Sequence, residues 1–281
     1  MENIPGYSLP EAVPVYDSAR RRFTALEEFR ELINYRHLLY QMVRRDILTR
    51  YKRSVLGVAW TMLNPLGTTI VLSIVFSQVF GAQQGYSAYV LSGLMPWTFF
   101  SQTTNACMVG LIWGGSLLKR IYLPRTVFAV SAIGTGIVNL LLSLVPLLFV
   151  MFTVGVYPKL PALFLPIGIL FLSMFSLGFG LLLSTIAIQF ADVTEMYQIV
   201  LTAWMYLSPV IYTEDKLPPQ YIWIVHLNPM YYLINYFRAF IFDGRIPSMT
   251  ETFIAGGVSA ATLLVGWLVF SRKADEFAYR V

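Results

Sequence analysis

The sequence predicts an all-α polytopic membrane protein. It has six transmembrane helices, an N-terminal amphipathic interfacial helix, and re-entrant outer gate helices between spans five and six. Three observations carry this prediction. Apolar residues make up 57% of the 281-residue chain and charged residues only 12%. An ordinary soluble domain carries about 25% charge, so this chain has too little polar surface to cover itself. Six stretches reach the roughly 20 apolar residues that cross a hydrocarbon core about 30 Å thick. Basic residues cluster on alternate sides of those stretches, as the positive-inside rule requires.

Residues 1–23 hold Pro5, Pro10 and Pro14 and no apolar core, which reads as a flexible cytoplasmic arm rather than a secretory signal. Residues 24–54 form the interfacial helix. Leu26, Phe29, Ile33, Tyr40, Val43, Ile47 and Tyr51 recur near helical spacing, with an interruption at Arg36 and His37. Such a helix lies along the cytoplasmic headgroups with its cations near anionic lipid. A solvated helix that merely follows the charge bias is the alternative. The spans fall at 55–80, 88–112, 127–156, 162–189, 196–213 and 251–270, within a permease domain over 55–270. Asn64-Pro65 interrupts the first, and Gly168, Gly178 and Gly180 let the fourth approach a neighbour closely.

LPPQYIWIVHLNPMYYLINYFRAF, residues 217–240, is split by Asn228-Pro229 into halves too short to cross alone. It reads as a re-entrant pair whose ends are buried in protein, with a kinked seventh span as the alternative. Charge placement favours six. Arg20, Arg21, Arg22, Arg30, Arg36, Arg44, Arg45, Arg50, Lys52 and Arg53 precede the first span. Lys119, Arg120 and Arg125 follow the second, and Arg272, Lys273 and Arg280 lie in a cytoplasmic tail, 271–281. The other side holds Lys159, Lys216, Arg238 and Arg245. Both termini therefore face the cytoplasm, and a seventh span would put the basic tail outside.

The spans carry almost no ionisable groups. Asp192 and Glu195 fall at the joint between spans four and five, and Glu251 at an outer edge. Ion-coupled carriers and voltage sensors need charge at mid-depth, so both readings are disfavoured. His37 and His226 lie on opposite predicted sides and share neither a metal nor a triad. No G-x-S-x-G, H-E-x-x-H or G-x-x-x-x-G-K-[ST] occurs. The chain by itself is predicted to be no enzyme, with no catalytic residue, metal or cofactor of its own, so energy for uphill transport must enter through a cytoplasmic partner. Cys107 is the single cysteine, which excludes a disulfide framework. The net charge of +5 fits membrane topology better than nucleic acid.

GGSLLKRIYLPR, 114–125, suits a docking helix, and a plain basic loop fits its composition equally. Aromatic residues reach 15%. Tyr197, Leu201, Trp204, Ser208 and Tyr212 share one face of span five, while Trp60, Phe76 and Phe80 belong to span one. Rings stack on sugar faces; interfacial belts and packed core are the alternative use.

RDILTRYKRSVLGVAWTMLNPL, with Arg45, Asp46, Arg50, Tyr51, Lys52, Ser54, Leu56, Gly57, Trp60 and Pro65, resembles the first-helix signature of type-2 ABC exporter permeases for polysaccharides and polyol phosphates. These are the transmembrane subunits of O-antigen, teichoic acid and capsule exporters. SGLMPWTFF (92–100), FADVTEMYQIVLTAWMYLSPVIYT (190–213) and LPPQYIWIVHLNPMYYLINYFRAFIFDG (217–244) are similar to further motifs of that family, in order, so the resemblance covers about 30–280. It implies a homodimer in the bacterial inner or plasma membrane, joined by two copies of a cytosolic ATPase that binds ATP and Mg. It implies a polyprenyl-diphosphate-linked cell-envelope glycopolymer as substrate, either wall teichoic acid or O-antigen-type polysaccharide.

By the same resemblance the interfacial helix and Lys119, Arg120, Tyr122, Arg125 and Asp192 dock the ATPase. Trp60, Phe76, Tyr197, Leu201, Trp204 and Ser208 line a channel, and Trp223, His226, Asn228, Pro229 and Tyr232 form its outer gate. Arg44, Arg45, Arg50, Lys52 and Arg53 crowd the headgroup level, where they suit a lipid diphosphate. Ser54 to Gly57 would bend the chain into span one, and Pro65 would shape a channel wall. A drug or small-lipid exporter of the same superfamily is the nearest rival. A lipid-modifying membrane enzyme and a passive scaffold are rivals of other classes.

Overall fold

A backbone in hydrocarbon must satisfy its own hydrogen bonds, and the helix does so within one segment. The computed structural model describes residues 24–52, 54–80, 85–118, 123–190 and 192–280, and among them it holds α-helices, short 3-10 turns and no strand. In chain order the helices are α1 Thr24–Asn34, α2 Arg36–Tyr51, α3 Ala59–Phe80, α4 Tyr86–Leu118 and α5 Thr126–Thr153. A 3-10 turn, Leu160–Phe164, leads into α6 Leu165–Ala187. Then come α7 Val193–Tyr206, α8 Ile222–His226, α9 Pro229–Ile241 and α10 Met249–Arg280.

Among the described residues, four segments are long and apolar enough to cross a membrane: Ala59–Phe76, Thr126–Thr153, Leu160–Ala187 and Met249–Lys273. Helix α4 is longer still, at 33 residues, but Thr98, Ser101, Gln102, Thr103, Thr104 and Asn105 interrupt its apolar run. Helix α7 has 14 residues, about 21 Å of rise, and stops well before the expected end at 213. The last helix instead overruns its expected end at 270 and continues unbroken through the predicted tail to Arg280.

The expected single helix over 24–54 is two helices, broken at Tyr35 beside the Arg36-His37 interruption. Its packed stripe also differs in phase from the one read in the sequence. Leu32 and Met42 are buried, with Leu38, Leu39 and Tyr35 against the same cluster, whereas Ile33 and Tyr40 are 54% and 65% exposed. Val43 and Ile47 of the expected stripe are half-buried, and where α2 packs on α5 a Cβ at Gly134 would lie 2.8 Å from Val43, so the shift is partial. Glu28 of α1, itself buried, accepts a hydrogen bond from Ser271 of α10 at 3.1 Å. Between α2 and α3 the chain bends as expected at Ser54–Gly57. Gly57 has φ +51°, and its N–H donates to Ser54 Oγ at 3.1 Å.

Two cores form at different levels of α4. One gathers Cys107, Leu111, Val127, Phe128, Leu181 and Phe270 beneath α1 and α2. The other holds an aromatic cluster in which the Phe100 ring lies 5.5 Å from Phe175 and 5.2 Å from Trp204. Helices α6 and α10 make the closest approach. A Cβ at Gly266 would sit 2.0 Å from the Gly178 carbonyl oxygen, and one at Gly178 would sit 2.3 Å from that of Thr262. Small residues let helix backbones meet in lipid, and both glycines are used that way. Gly266→Ala is expected to lower the thermal midpoint of the solubilised protein, at a cost of about 1–3 kcal/mol from overpacking. Gly257→Ala, whose Cβ would meet nothing within 4 Å, serves as the control and leaves the midpoint in place.

Candidate functional site

Two polar regions distinguish this bundle, and the first begins at a proline. Pro65 has no N–H to offer the Thr61 carbonyl four residues earlier. Ser143 of α5 donates its hydroxyl to that oxygen at 3.3 Å and to the Asn139 carbonyl at 2.9 Å. Helix α3 therefore continues through the proline, tied there to α5. Polar residues on three helices recur in steps of four: Asn64 and Thr68 on α3, Thr98 and Gln102 on α4, Asn139 and Ser143 on α5. That spacing puts each pair on one face. The three faces converge, with Arg50 and Trp60, on a cavity of about 410 Å³. A second cavity of about 690 Å³ shares Arg50, Gln102, Gly136 and Asn139 and extends past Arg45, Asp46 and Thr49 of α2.

The amides in this groove are unusual for what they lack. Asn64 and Gln102 are exposed and Asn139 is half-buried, and none makes a side-chain hydrogen bond to the described chain. An unpaired amide facing hydrocarbon costs about 2–7 kcal/mol. The groove is therefore a place for water or a polar ligand rather than for lipid tails. At its α2 end Arg45 is paired with Asp46 at 2.9 Å, whereas Arg50 has no ion-pair partner among the described residues.

The second region is the turn after α7. Here the backbone leaves the helix, and each carbonyl from Tyr206 to Tyr212 finds a donor. Tyr212 Oη serves Tyr206 at 3.1 Å, Asn228 Nδ2 serves Leu207 at 3.2 Å, and Val210 N serves Ser208 at 2.7 Å. Arg238 donates to Pro209 through Nη1 at 2.5 Å and to Val210 through Nη2 at 2.8 Å. Tyr86 Oη serves Ile211 and Tyr89 Oη serves Tyr212, both at 2.9 Å. Arg238 is buried. Its remaining donors reach Tyr89 Oη at 2.9 Å, the Tyr89 carbonyl at 3.3 Å and Ser92 Oγ at 3.4 Å. Its guanidinium carbon lies 3.7 Å over the Tyr89 ring. Gly93 keeps the slot open, since a Cβ there would lie 2.1 Å from Nη2.

Asn228 closes the same region. As the N-cap of α9, followed by Pro229 at the first helical position, its Oδ1 accepts from Met230 N at 2.9 Å. The same oxygen accepts from Trp204 Nε1 at 2.8 Å, and its Nδ2 donates to Ser208 Oγ at 2.8 Å. His226 pairs with Glu214 at 2.9 Å, Tyr231 also donates to Glu214, and Tyr232 Oη reaches the His226 carbonyl at 2.9 Å.

Comparison with known proteins agrees with this architecture. Residues 37–242 match the family described as ABC-2 type transporter. The chain belongs to the ABC-2 type transporter family. It is 28% identical over 252 residues to the O-antigen export system permease protein RfbA of Myxococcus xanthus, covering 89% of this chain and 97% of that one. It is 23% identical over 250 residues to the capsule polysaccharide export inner-membrane protein CtrC of Neisseria meningitidis serogroup A, covering 86% and 92%. It is 27% identical over 232 residues to the inner membrane transport permease YadH of Escherichia coli K12, covering 75% and 88%.

In this ABC-2 type permease the predicted site residues fall into distinct places. The face of α7 expected to line a channel is turned inward. Tyr197, Leu201 and Ser208 are buried, Trp204 packs in the aromatic cluster, and Tyr197 Oη lies 2.6 Å from Thr104 Oγ1. Met196, Ile199 and Val200 occupy the exposed face instead. An aromatic stripe has the same period whether it meets a core or a passage, and here it meets the core. Trp60 does line the groove, and Phe76 packs half-buried on the core.

Of the predicted diphosphate cluster, Arg45 and Arg50 reach the groove. Arg44 and Lys52 are exposed elsewhere, and Arg53 lies outside the described residues. Of the docking set, Lys119, Arg120 and Tyr122 also lie outside them, Arg125 precedes α5, and Asp192 is exposed ahead of α7. The gate set of His226, Asn228, Pro229 and Tyr232 is brought together, while the Trp223 side chain is exposed. Arg238, expected from the sequence as an outer charge, is a core residue, and Asn64, expected only as part of a helix interruption, joins Gln102 and Asn139 in the groove.

No group of three or more potential metal-binding side chains occurs among the described residues. Arg238→Met is expected to destabilise the solubilised protein by about 2–4 kcal/mol, because it leaves the carbonyls of 209 and 210 without donors. Arg245→Met, which removes exposed pairs to Asp243 and Glu251, costs about 0–1 kcal/mol on the same thermal assay.

Proposed function

We propose that this chain is the membrane subunit of an ATP-driven exporter. Its cargo is a polyprenyl-diphosphate-linked cell-envelope glycopolymer, of O-antigen, capsule or wall teichoic acid type, carried out of the cytoplasm. In this reading α3, α4, α5, α6, α7 with its following turn, and α10 make six crossings. Helices α8 and α9 re-enter from the outer side, and both termini are cytoplasmic. Two copies of the chain join two cytosolic ATPase subunits, which bind ATP and Mg and dock on the α1–α2 end through Lys119, Arg120, Tyr122, Arg125 and Asp192.

The observation that carries this reading is the open groove among α2, α3, α4 and α5 with its unpartnered amides, of which Asn64 and Asn139 fall within segments long and apolar enough to cross a membrane. A passage for sugar hydroxyls needs fixed polar partners inside an apolar bundle. The family and the names of the similar permeases support the direction and the cargo. The tight turn after α7, locked to α4 and α9 by Arg238, Tyr86 and Tyr89, suits a stationary outer frame that holds α9 in place.

The test replaces Gln102 and Asn139 with leucine in cells whose native permease is deleted. Each lost hydrogen bond is worth about 0.5–1.5 kcal/mol, so export of surface polymer should fall by about tenfold while the complex still assembles with its ATPase. Normal export from a groove lined with leucine would mean that the polymer travels elsewhere.

A further inference from the structure

The exporter reading leaves the class of polymer open, and the charges along the groove bear on it. Among the described residues, Arg50 is the one ionisable side chain lining the 410 Å³ cavity. Every other described polar side chain there is neutral: the amides of Asn64, Gln102 and Asn139 and the hydroxyls of Thr61, Thr68, Thr98 and Ser143. Ionisable groups enter only in the adjoining cavity along α2, where Arg45 is already neutralised by Asp46. The groove is therefore graded, with one uncommitted cation at one end and uncharged hydrogen-bonding groups beyond it.

A polyanion passing through a low-dielectric bundle needs countercharge at each repeat, because an unpaired charge there is far costlier than an unpaired hydroxyl. Rings of basic side chains serve anion pathways for that reason. Among the described residues this groove supplies an unpaired countercharge once. Amides instead offer both donors and acceptors, which suits the mixed donor and acceptor hydroxyls of a neutral sugar, and Trp60 adds an aromatic face at the same wall.

We propose that the groove is a binding subsite for an uncharged polyhydroxylated glycan. Arg50 receives a single phosphate at its α2 end, and Asn64, Gln102 and Asn139 bind the neutral repeat, so that neutral glycans are exported in preference to polyol-phosphate polymers. This inference rests on the export reading and narrows its substrate.

The test uses the full chain with its ATPase in lipid nanodiscs, reading stimulated ATP hydrolysis. Two probes carry the same polyprenyl diphosphate: one bears a neutral hexose polymer, the other a poly(glycerol phosphate) of similar length. The neutral probe should stimulate about tenfold more effectively. Gln102→Lys should reverse the order by supplying a second cation, and Gln102→Asn should preserve it. Size-exclusion chromatography of each variant establishes that the complex is intact. Equal or stronger stimulation by the anionic probe overturns the inference while leaving export standing. Preserved discrimination in Gln102→Lys places recognition outside the groove and also overturns it. Loss of the dimer in Gln102→Lys would assign the groove to a contact between copies and overturn it as well. Silence with both probes overturns the export reading, and the substrate assignment falls with it.

Discussion

A buried guanidinium holds the most irregular backbone of this protein in place. After α7 the chain runs as turns from Leu207 to Tyr212, a conformation that leaves carbonyls without helical partners. Lipid offers no donor to replace them. Arg238 serves two of these carbonyls, and its contacts with Tyr89 and Ser92 fix the helix that supplies two more donors, Tyr86 and Tyr89. One side chain thereby joins α9, α4 and the end of α7. The position of α9 follows from it, and so does that of Asn228 at its cap. Arginine suits the task because its planar fork presents five N–H groups in fixed directions.

The same constraint gives the groove its meaning. Buried hydroxyls such as Thr69, Ser176 and Ser259 lack partners in places, but the larger polar groups divide between those matched by the protein, such as Arg238 and Asn228, and the amides left open in the groove. The turn after α7 satisfies seven consecutive carbonyls (206–212) with side chains and backbone. Three amides left unmatched at one site are best understood as partners for something outside this chain. The proline, often a breaker, contributes here by freeing a carbonyl that a second helix claims, so the wall of the groove is braced by the irregularity that shapes it.

What the sequence made legible was local or compositional. The apolar runs gave the helices, the Asn228-Pro229 pair gave a break with its own cap, and Gly178 marked a close helix approach. Ser54–Gly57 gave a bend because glycine reaches positive φ readily. The phase of α1 and α2 was legible only in part: Val43 is where the stripe put it, but Leu32 and Met42 are buried in place of Ile33 and Tyr40, a choice made only by tertiary packing. Arg238 was not legible. Its partners lie 28 to 149 positions away, and a cation near a helix end reads from sequence as a topological charge. The groove was present in the sequence as three pairs of polar residues four apart. Each pair alone is an ordinary feature of a membrane helix, and only their convergence makes a site.

The central claim is that one face of α3, α4 and α5 meets water or polar substrate inside the membrane. It is tested most directly by thiol accessibility in native membranes, which the chain suits because its one cysteine, Cys107, is fully buried. Cysteines placed singly at Asn64, Gln102 and Asn139 should react readily with a membrane-impermeant, water-soluble thiol reagent. A cysteine at Ile74, on the outward apolar face of α3, should not. Groove positions that react no faster than the Ile74 position would contradict the account.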